Sequence, residues 1–163
     1  GELFVQNNAY QHLICRAGWM MGAGPTKDKK FIQKVMQQIK DGNKELFIVN
    51  DKLGTPTYTH DFAHNVKLLL EKELWGLYNM VCGGTTGRFE VAEELVNLLG
   101  LSESIKLTAV DSDYFKEEYY AERPPSERLL DTKLNLRDVN VMRDWKICLT
   151  EYLDNYYQDY LDN

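Results

Sequence analysis

Residues 81–90, VCGGTTGRFE, place Gly83, Gly84 and Gly87 between an apolar run and a helix-like segment. That is a context in which bare backbone can approach a phosphate. A dinucleotide fingerprint needs G-x-G-x-x-G and an acidic residue about 20 positions on. Only Gly84 and Gly87 fit that spacing, and Glu90, Glu93 and Glu94 follow, where they would repel a pyrophosphate. The reading is a glycine turn feeding a capped helix. GWMMGAGP, residues 18–25, fails as well, because Pro25 breaks the strand–turn–helix context. The Tyr-x-x-x-Lys pair of short-chain dehydrogenases joins a general acid to a lysine that lowers its pKa. None of the ten tyrosines has lysine four residues later. The nearest approach is Tyr119 with Arg123, in a proline-flanked loop. There is no G-x-S-x-G elbow. Glu93 and Glu94 are adjacent, so their side chains are expected to diverge around a helix. His60 and His64 lie four apart without a glutamate or cysteine at ligand spacing, and no CxxC occurs.

What remains is suited to binding. Trp19 directly follows an apolar run and opens a glycine loop, so it is either a flat platform for a sugar ring or a core residue capping a strand. Arg16, inside the apolar run, needs a partner: a structural ion pair is favoured over an anion ligand. LGTPTYT, residues 53–59, is a tight turn first and a hydrogen-bonding wall second, through Gly54, Thr55 and Thr57. Arg123 is either a fork for a diphosphate or a solvated loop residue.

These residues must be positioned by short alternating elements. A helix ends over 2–8, and 12–17 is a buried strand. Residues 19–25 are expected to form a loop. Helix 28–40 buries Phe31, Ile32, Val35, Met36 and Ile39. Strand 45–49, loop 50–56 and a helix capped by Thr59 follow, with Asp61 in its first turn. Strand 77–82 leads to a helix capped by Thr85 or Thr86 and closed by Gly100. Strand 105–110 precedes an extended loop over 111–128. The last helix, about 142–161, lines up Met142, Trp145, Leu149, Tyr152, Tyr156 and Tyr160. The class is α/β, an α+β-like fragment with few short strands and four to five helices. So few strands suggest that part of a larger sheet is missing.

The chain has 163 residues, 44% hydrophobic and 27% charged, enough for one soluble domain. Its net charge of -6 argues against nucleic acid. The cluster Lys27, Lys29, Lys30 reads as a solvated helix end. No apolar run approaches the roughly 20 residues that span a bilayer, and the opening stretch does not read as a signal peptide. Cys15, Cys82 and Cys148 read as reduced core thiols of a cytoplasmic protein.

In order and spacing these features resemble the C-terminal, substrate-binding portion of the dTDP-4-dehydrorhamnose reductase family of extended short-chain dehydrogenases. The residues that carry the resemblance are Arg16 and Trp19, Gly22, Asp51 with Gly54-Thr55-Pro56-Thr57, Gly76-Leu77-Tyr78-Asn79, Thr86, and Arg123-Pro124 with Leu130-Asp131 and Lys133-Leu134. Gly1-Glu2 fits the stretch just after the family's catalytic lysine. The resemblance implies one domain over 1–163, with the N-terminal dinucleotide-binding Rossmann half and the catalytic pair outside this chain. It implies a parent that uses NAD(P)H to reduce a 4-keto-6-deoxy sugar on a nucleoside diphosphate, with no cofactor expected on this chain alone. Trp19 and Arg123 correspond to residues at the sugar and the nucleotide-sugar. Some members dimerise around a metal, Mg being the candidate, held by glutamates. Glu151 stands at one such position and His60 where a second glutamate is expected, which counts against a metal. A homodimer through the C-terminal helix is implied. Two departures are the second Met of WMMG and KKF in place of NNF. Two other functions share the scaffold: a non-catalytic binding subunit like the regulatory subunit of methionine adenosyltransferase, and a nucleotide-sugar epimerase.

Overall fold

The computed structural model describes residues 1–117 and 124–161. Arg123, Glu122 and Tyr119 therefore lie outside the described residues. The elements run α1 (Glu2–Asn8), β1 (Leu13–Arg16), β2 (Trp19–Met21), α2 (Phe31–Lys40), β3 (Glu45–Val49), β4 (Leu53–Gly54), β5 (Pro56–Tyr58), α3 (Thr59–Glu71), β6 (Gly76–Asn79), β7 (Thr86–Gly87), α4 (Arg88–Leu98), β8 (Lys106–Val110), a 3₁₀ turn at Ser112–Phe115, α5 (Thr132–Leu136) and α6 (Trp145–Tyr156). The class is α/β with short strands, as the alternation of patterns predicts.

The strands pair two by two. β1–β6, β2–β5 and β3–β8 are parallel, and β4–β7 is antiparallel. Two expected loops contain strands. Residues 19–21 form β2 rather than loop, because Trp19 pairs with Pro56, Met20 with Thr57 and Met21 with Tyr58. Residues 53–54 form β4, antiparallel to β7. The strand expected over 77–82 ends its regular pairing at Asn79. Met80 N–H still donates to Arg16 O at 2.8 Å, but Cys82 N–H donates to Pro56 O at 3.0 Å. The chain thus passes from the β1 edge to the β5 edge, and that bend joins the two pairs.

Two apolar clusters hold the elements. The larger one takes Val35 and Met36 of α2, Leu46 and Ile48 of β3, Val91 and Leu95 of α4, and Leu149 and Tyr152 of α6. The smaller takes Leu69, Tyr78, Met80, Leu134, Val139 and Met142. Burying such side chains contributes roughly 1.5–3 kcal/mol each. α5 was not expected from periodicity; it spans five residues and buries only Leu134. Tyr152 of α6 donates its hydroxyl to Asp28 Oδ2 at 2.8 Å, and Tyr157 and Tyr160 donate to Gln33 Oε1 at 2.8 Å and Gln37 Oε1 at 2.7 Å. α6 and the residues that follow it are therefore tied to α2 and the segment before it in the same chain.

Helix starts differ from expectation. Thr59 is the first residue of α3 and makes no side-chain cap. α4 is preceded by Gly87, whose N–H donates to Glu90 Oε2 at 2.9 Å. An acidic side chain there satisfies an open amide and suits the helix dipole.

Candidate functional site

Trp19 opens β2, and its backbone N–H donates to Thr55 O at 2.9 Å. Beside it, Gly18 N–H donates to Thr57 Oγ1 at 2.9 Å. Thr55 and Thr57 are both buried, and Thr55 Oγ1 has no hydrogen-bond partner among the described residues. The Thr57 hydroxyl is thus engaged in fixing the approach to Trp19. Gly54 lies against the indole: a Cβ there would overlap Cε2 and Cζ2 of Trp19, so only glycine fits. The structure therefore brings Trp19, Gly54, Thr55 and Thr57 together, with the tryptophan half exposed and the others beneath or behind it.

Two residues that sequence reasoning passed over complete the frame. Glu127 accepts a hydrogen bond from Trp19 Nε1 at 2.9 Å. Its segment is fastened to β4: Leu53 N–H donates to Pro125 O at 2.9 Å, and Glu127 N–H to Leu53 O at 2.8 Å. Arg88, the first residue of α4, sets its guanidinium carbon 5.4 Å from the centroid of the Trp19 ring. The spacing suits a cation–π contact. In sequence, Arg88 reads only as part of a helix start and Glu127 as loop; neither contact has a local signature.

A cavity of about 500 Å³ opens beside the indole, lined by Trp19, Lys30, Phe31, Arg88, Glu127 and Trp145 among others. Its size falls within the range of small-ligand pockets, roughly 300–1,000 Å³. Lys29 and Lys30, expected as a solvated helix end, are exposed and stand at this cavity. An aromatic wall and a cationic rim can hold a ring that carries an anionic group.

Arg16 is exposed rather than buried, since its side chain leaves the β1 edge. It forms the expected ion pair, Nε to Glu2 Oε1 at 2.8 Å. Cys82 and Cys148 are buried free thiols, and Cys15 is half-buried. Glu90, Glu93 and Glu94 border a second cavity of about 490 Å³, and Glu94 is paired with Lys146. The i, i+3, i+4 spacing from Glu90 accounts for the shared border.

The glycine run does not fit a dinucleotide pyrophosphate. Gly87 N–H is taken by Glu90, and Gly83 N–H donates to Arg143 O at 2.9 Å. Gly84 has φ +83° and packs on Trp145. Two of the three glycine amides that would cradle phosphate are already engaged. A divalent metal at Glu151 and His60 does not fit either. Glu151 Oε2 accepts from Arg143 Nη1 at 2.6 Å, while Arg143 Nη2 donates to Asp61 Oδ1 at 2.7 Å. His60 stacks on Tyr58 with ring centroids 4.9 Å apart, and its Nε2 lies 3.1 Å from the Tyr156 hydroxyl. A guanidinium already supplies the positive charge between the carboxylates. Burial would raise the Asp61 pKa, but the Arg143 hydrogen bonds hold it below the usual carboxylate value. Hydrogen bonds from the same guanidinium lower that of Glu151.

Comparison with known proteins adds an independent finding. The family model described as RmlD substrate binding domain matches residues 1–158. The chain is 28% identical over 166 residues to the dTDP-4-dehydrorhamnose reductase of Shigella flexneri, covering 96% of this chain and 54% of that protein. Among solved structures it is similar to the dTDP-4-dehydrorhamnose reductase of Clostridium acetobutylicum, with TM-score 0.84, 29% identity, and coverage of 94% of this chain and 52% of that one. The corresponding structure from Yersinia enterocolitica gives TM-score 0.80 and 33% identity, covering 89% and 50%. The chain spans about half the length of the relatives it matches.

Proposed function

The chain belongs to the RmlD substrate binding domain family, and on that premise we propose that it is the nucleotide-sugar-binding portion of an NAD(P)H-dependent reductase acting on a 4-keto-6-deoxy sugar nucleotide. The observation that carries this reading is the cavity beside Trp19, with aromatic walls and a cationic rim. In it Trp19 would pack against the sugar ring. Gly54 would set the depth of the indole, and Thr55 and Thr57 would hold the strand pair behind it. Arg123, which lies outside the described residues, would serve the nucleotide as the resemblance implies.

On this proposal residues 1–163 form the substrate domain, and a dinucleotide-binding half carrying the glycine fingerprint and the Tyr/Lys pair precedes them in the whole protein. The cofactor would supply the hydride when bound to that half. This chain's own residues would bind and orient the keto sugar and exclude water from it.

The test is an assay of the whole protein with reduced cofactor against a panel of 4-keto nucleotide sugars, paired with a binding measurement. Trp145 borders the same cavity as Trp19, so affinity is the readout rather than fluorescence amplitude. Trp19→Ala is expected to weaken binding of a dTDP-sugar about tenfold, the scale of a lost aromatic contact. Unchanged affinity in that variant would remove the pocket assignment.

A further inference from the structure

We propose that Arg88 is the residue that receives the diphosphate of the ligand in the Trp19 cavity. The inference deepens the nucleotide-sugar reading and rests on it.

Among the described residues the other arginines are hydrogen-bonded. Arg16 pairs with Glu2, and Arg143 with Asp61 and Glu151. Arg137 donates to the Tyr78 hydroxyl at 2.7 Å and Arg128 to Ser126 Oγ at 3.2 Å. Arg88 differs. It is half-buried at the cavity, and its one contact of this kind among the described residues is the face of the Trp19 indole. A guanidinium held over an aromatic ring by a cation–π contact stays at the cavity wall with its N–H donors unspent on the ring's edge. Two parallel donors are the geometry that matches phosphate oxygens, and five donors without an acceptor are costly to leave half-buried.

The charges around the cavity agree. Four cationic side chains, Lys29, Lys30, Lys34 and Arg88, line it against two carboxylates, Asp28 and Glu127. Asp28 is buried and engaged, accepting from the Tyr152 hydroxyl at 2.8 Å and from Lys30 N–H at 2.9 Å. Glu127 accepts from the indole N–H. The lining thus carries more cationic than acidic side chains, on a chain whose net charge is -6. Trp19 thus has two partners with separate tasks: Glu127 fixes the ring by its edge, and the ring fixes the guanidinium by its face.

The test is calorimetric titration of the intact protein with dTDP and, separately, with thymidine, for the native sequence, Arg88→Gln and Arg88→Lys. The native protein is expected to bind dTDP more tightly than thymidine. Arg88→Gln is expected to weaken dTDP about tenfold to a hundredfold, the scale of a lost charge-assisted bidentate contact, and to leave thymidine unchanged. Arg88→Lys keeps the charge without the fork and should fall between. Thermal midpoints within a few degrees of native show that the variants fold. Equal dTDP affinity in native and Arg88→Gln proteins overturns the assignment while leaving the nucleotide-sugar reading intact. A native protein that binds neither compound overturns both.

Discussion

Arg143 is the residue on which two carboxylates depend. Its guanidinium bridges Asp61, whose side chain is only 4% exposed, and Glu151, at 35%. Removing it would leave Asp61 buried and unpaired, and breaking a buried pair costs about 3–5 kcal/mol. Because Arg143 itself is 39% exposed, solvent screening brings the expected cost of Arg143→Gln to about 2 kcal/mol, read as a lower urea midpoint at constant slope. Asp131 makes the opposite contribution. Burial pushes its pKa up to about 6, and the hydrogen bonds from Val81 N–H and Asn140 Nδ2 only partly offset this. The unfolded value is about 3.9. A carboxyl whose folded pKa is raised contributes stability that is present below about pH 4 and is lost as pH rises through about 6. Asp61, with a lowered pKa, does the reverse, and its contribution is lost only as pH falls below about 4. The windows are separate. Asp131→Asn should therefore gain stability relative to native between pH 4.5 and 7, by an amount on the order of 2 kcal/mol at pH 7. Urea midpoints across that range decide it; an unchanged difference between the two proteins at all pH values would contradict the burial argument.

At the scale of elements, the start of α4 shows why the sequence was only partly legible. Glu90 reads as a charge that would repel phosphate, yet its carboxylate serves the helix by accepting the Gly87 N–H. Glu90→Ala should cost about 1 kcal/mol of stability, and Glu90→Gln less, since glutamine still accepts; thermal unfolding of the two variants measures the difference. The elements with strong periodicity were legible from the residues alone. α2 buries Ile32, Val35 and Met36 along the stripe their spacing predicts, and β3 forms over the apolar run 45–49. β2 and β5 were not legible, because three-residue strands with glycine and proline beside them carry turn chemistry. What makes them strands is the pairing itself, with Trp19 N–H and Gly18 N–H bonded to the Thr55–Thr57 segment. The candidate site divides the same way. Trp19, Gly54, Thr55 and Thr57 stood out by type and came together in space. Arg88 and Glu127 carry no local pattern, since each meets the indole from a distant part of the chain. The last helix, expected over about 142–161, ends at Tyr156, so Tyr160 leaves the expected stripe; the bonding of Tyr157 and Tyr160 to Gln33 and Gln37 depends on α2 and has no signature in α6 itself.

At the scale of the molecule, α1 is the helix that packs least against the rest. Leu3 and Phe4 are 74% and 72% exposed, and α1 has no buried residue. Seven residues are too few for a helix to be stable by local bonding alone, since helices below about 12–15 residues are marginal in water. What ties α1 to the rest is the exposed pair of Glu2 with Arg16, a kind of contact that salt screens. Apolar side chains arrayed on a short helix, beside a strand pair that has no further neighbour among the described strands, are suited to being covered by another layer. On the proposal that a cofactor-binding half precedes Gly1, that layer would be its sheet and helices. Two outcomes follow together. Residues 1–163 expressed alone should leave the α1 amides almost unprotected from hydrogen exchange while those of α6, with five buried residues, exchange slowly. The whole protein should protect α1 to a degree approaching α6. The isolated chain should also show no submillimolar affinity for NADPH by calorimetry, because the Gly83 and Gly87 amides are engaged within the fold and Glu90 stands beside them. Tight NADPH binding by residues 1–163 would mean that a phosphate cradle exists on this chain, and the division of labour between two halves would then have to be given up.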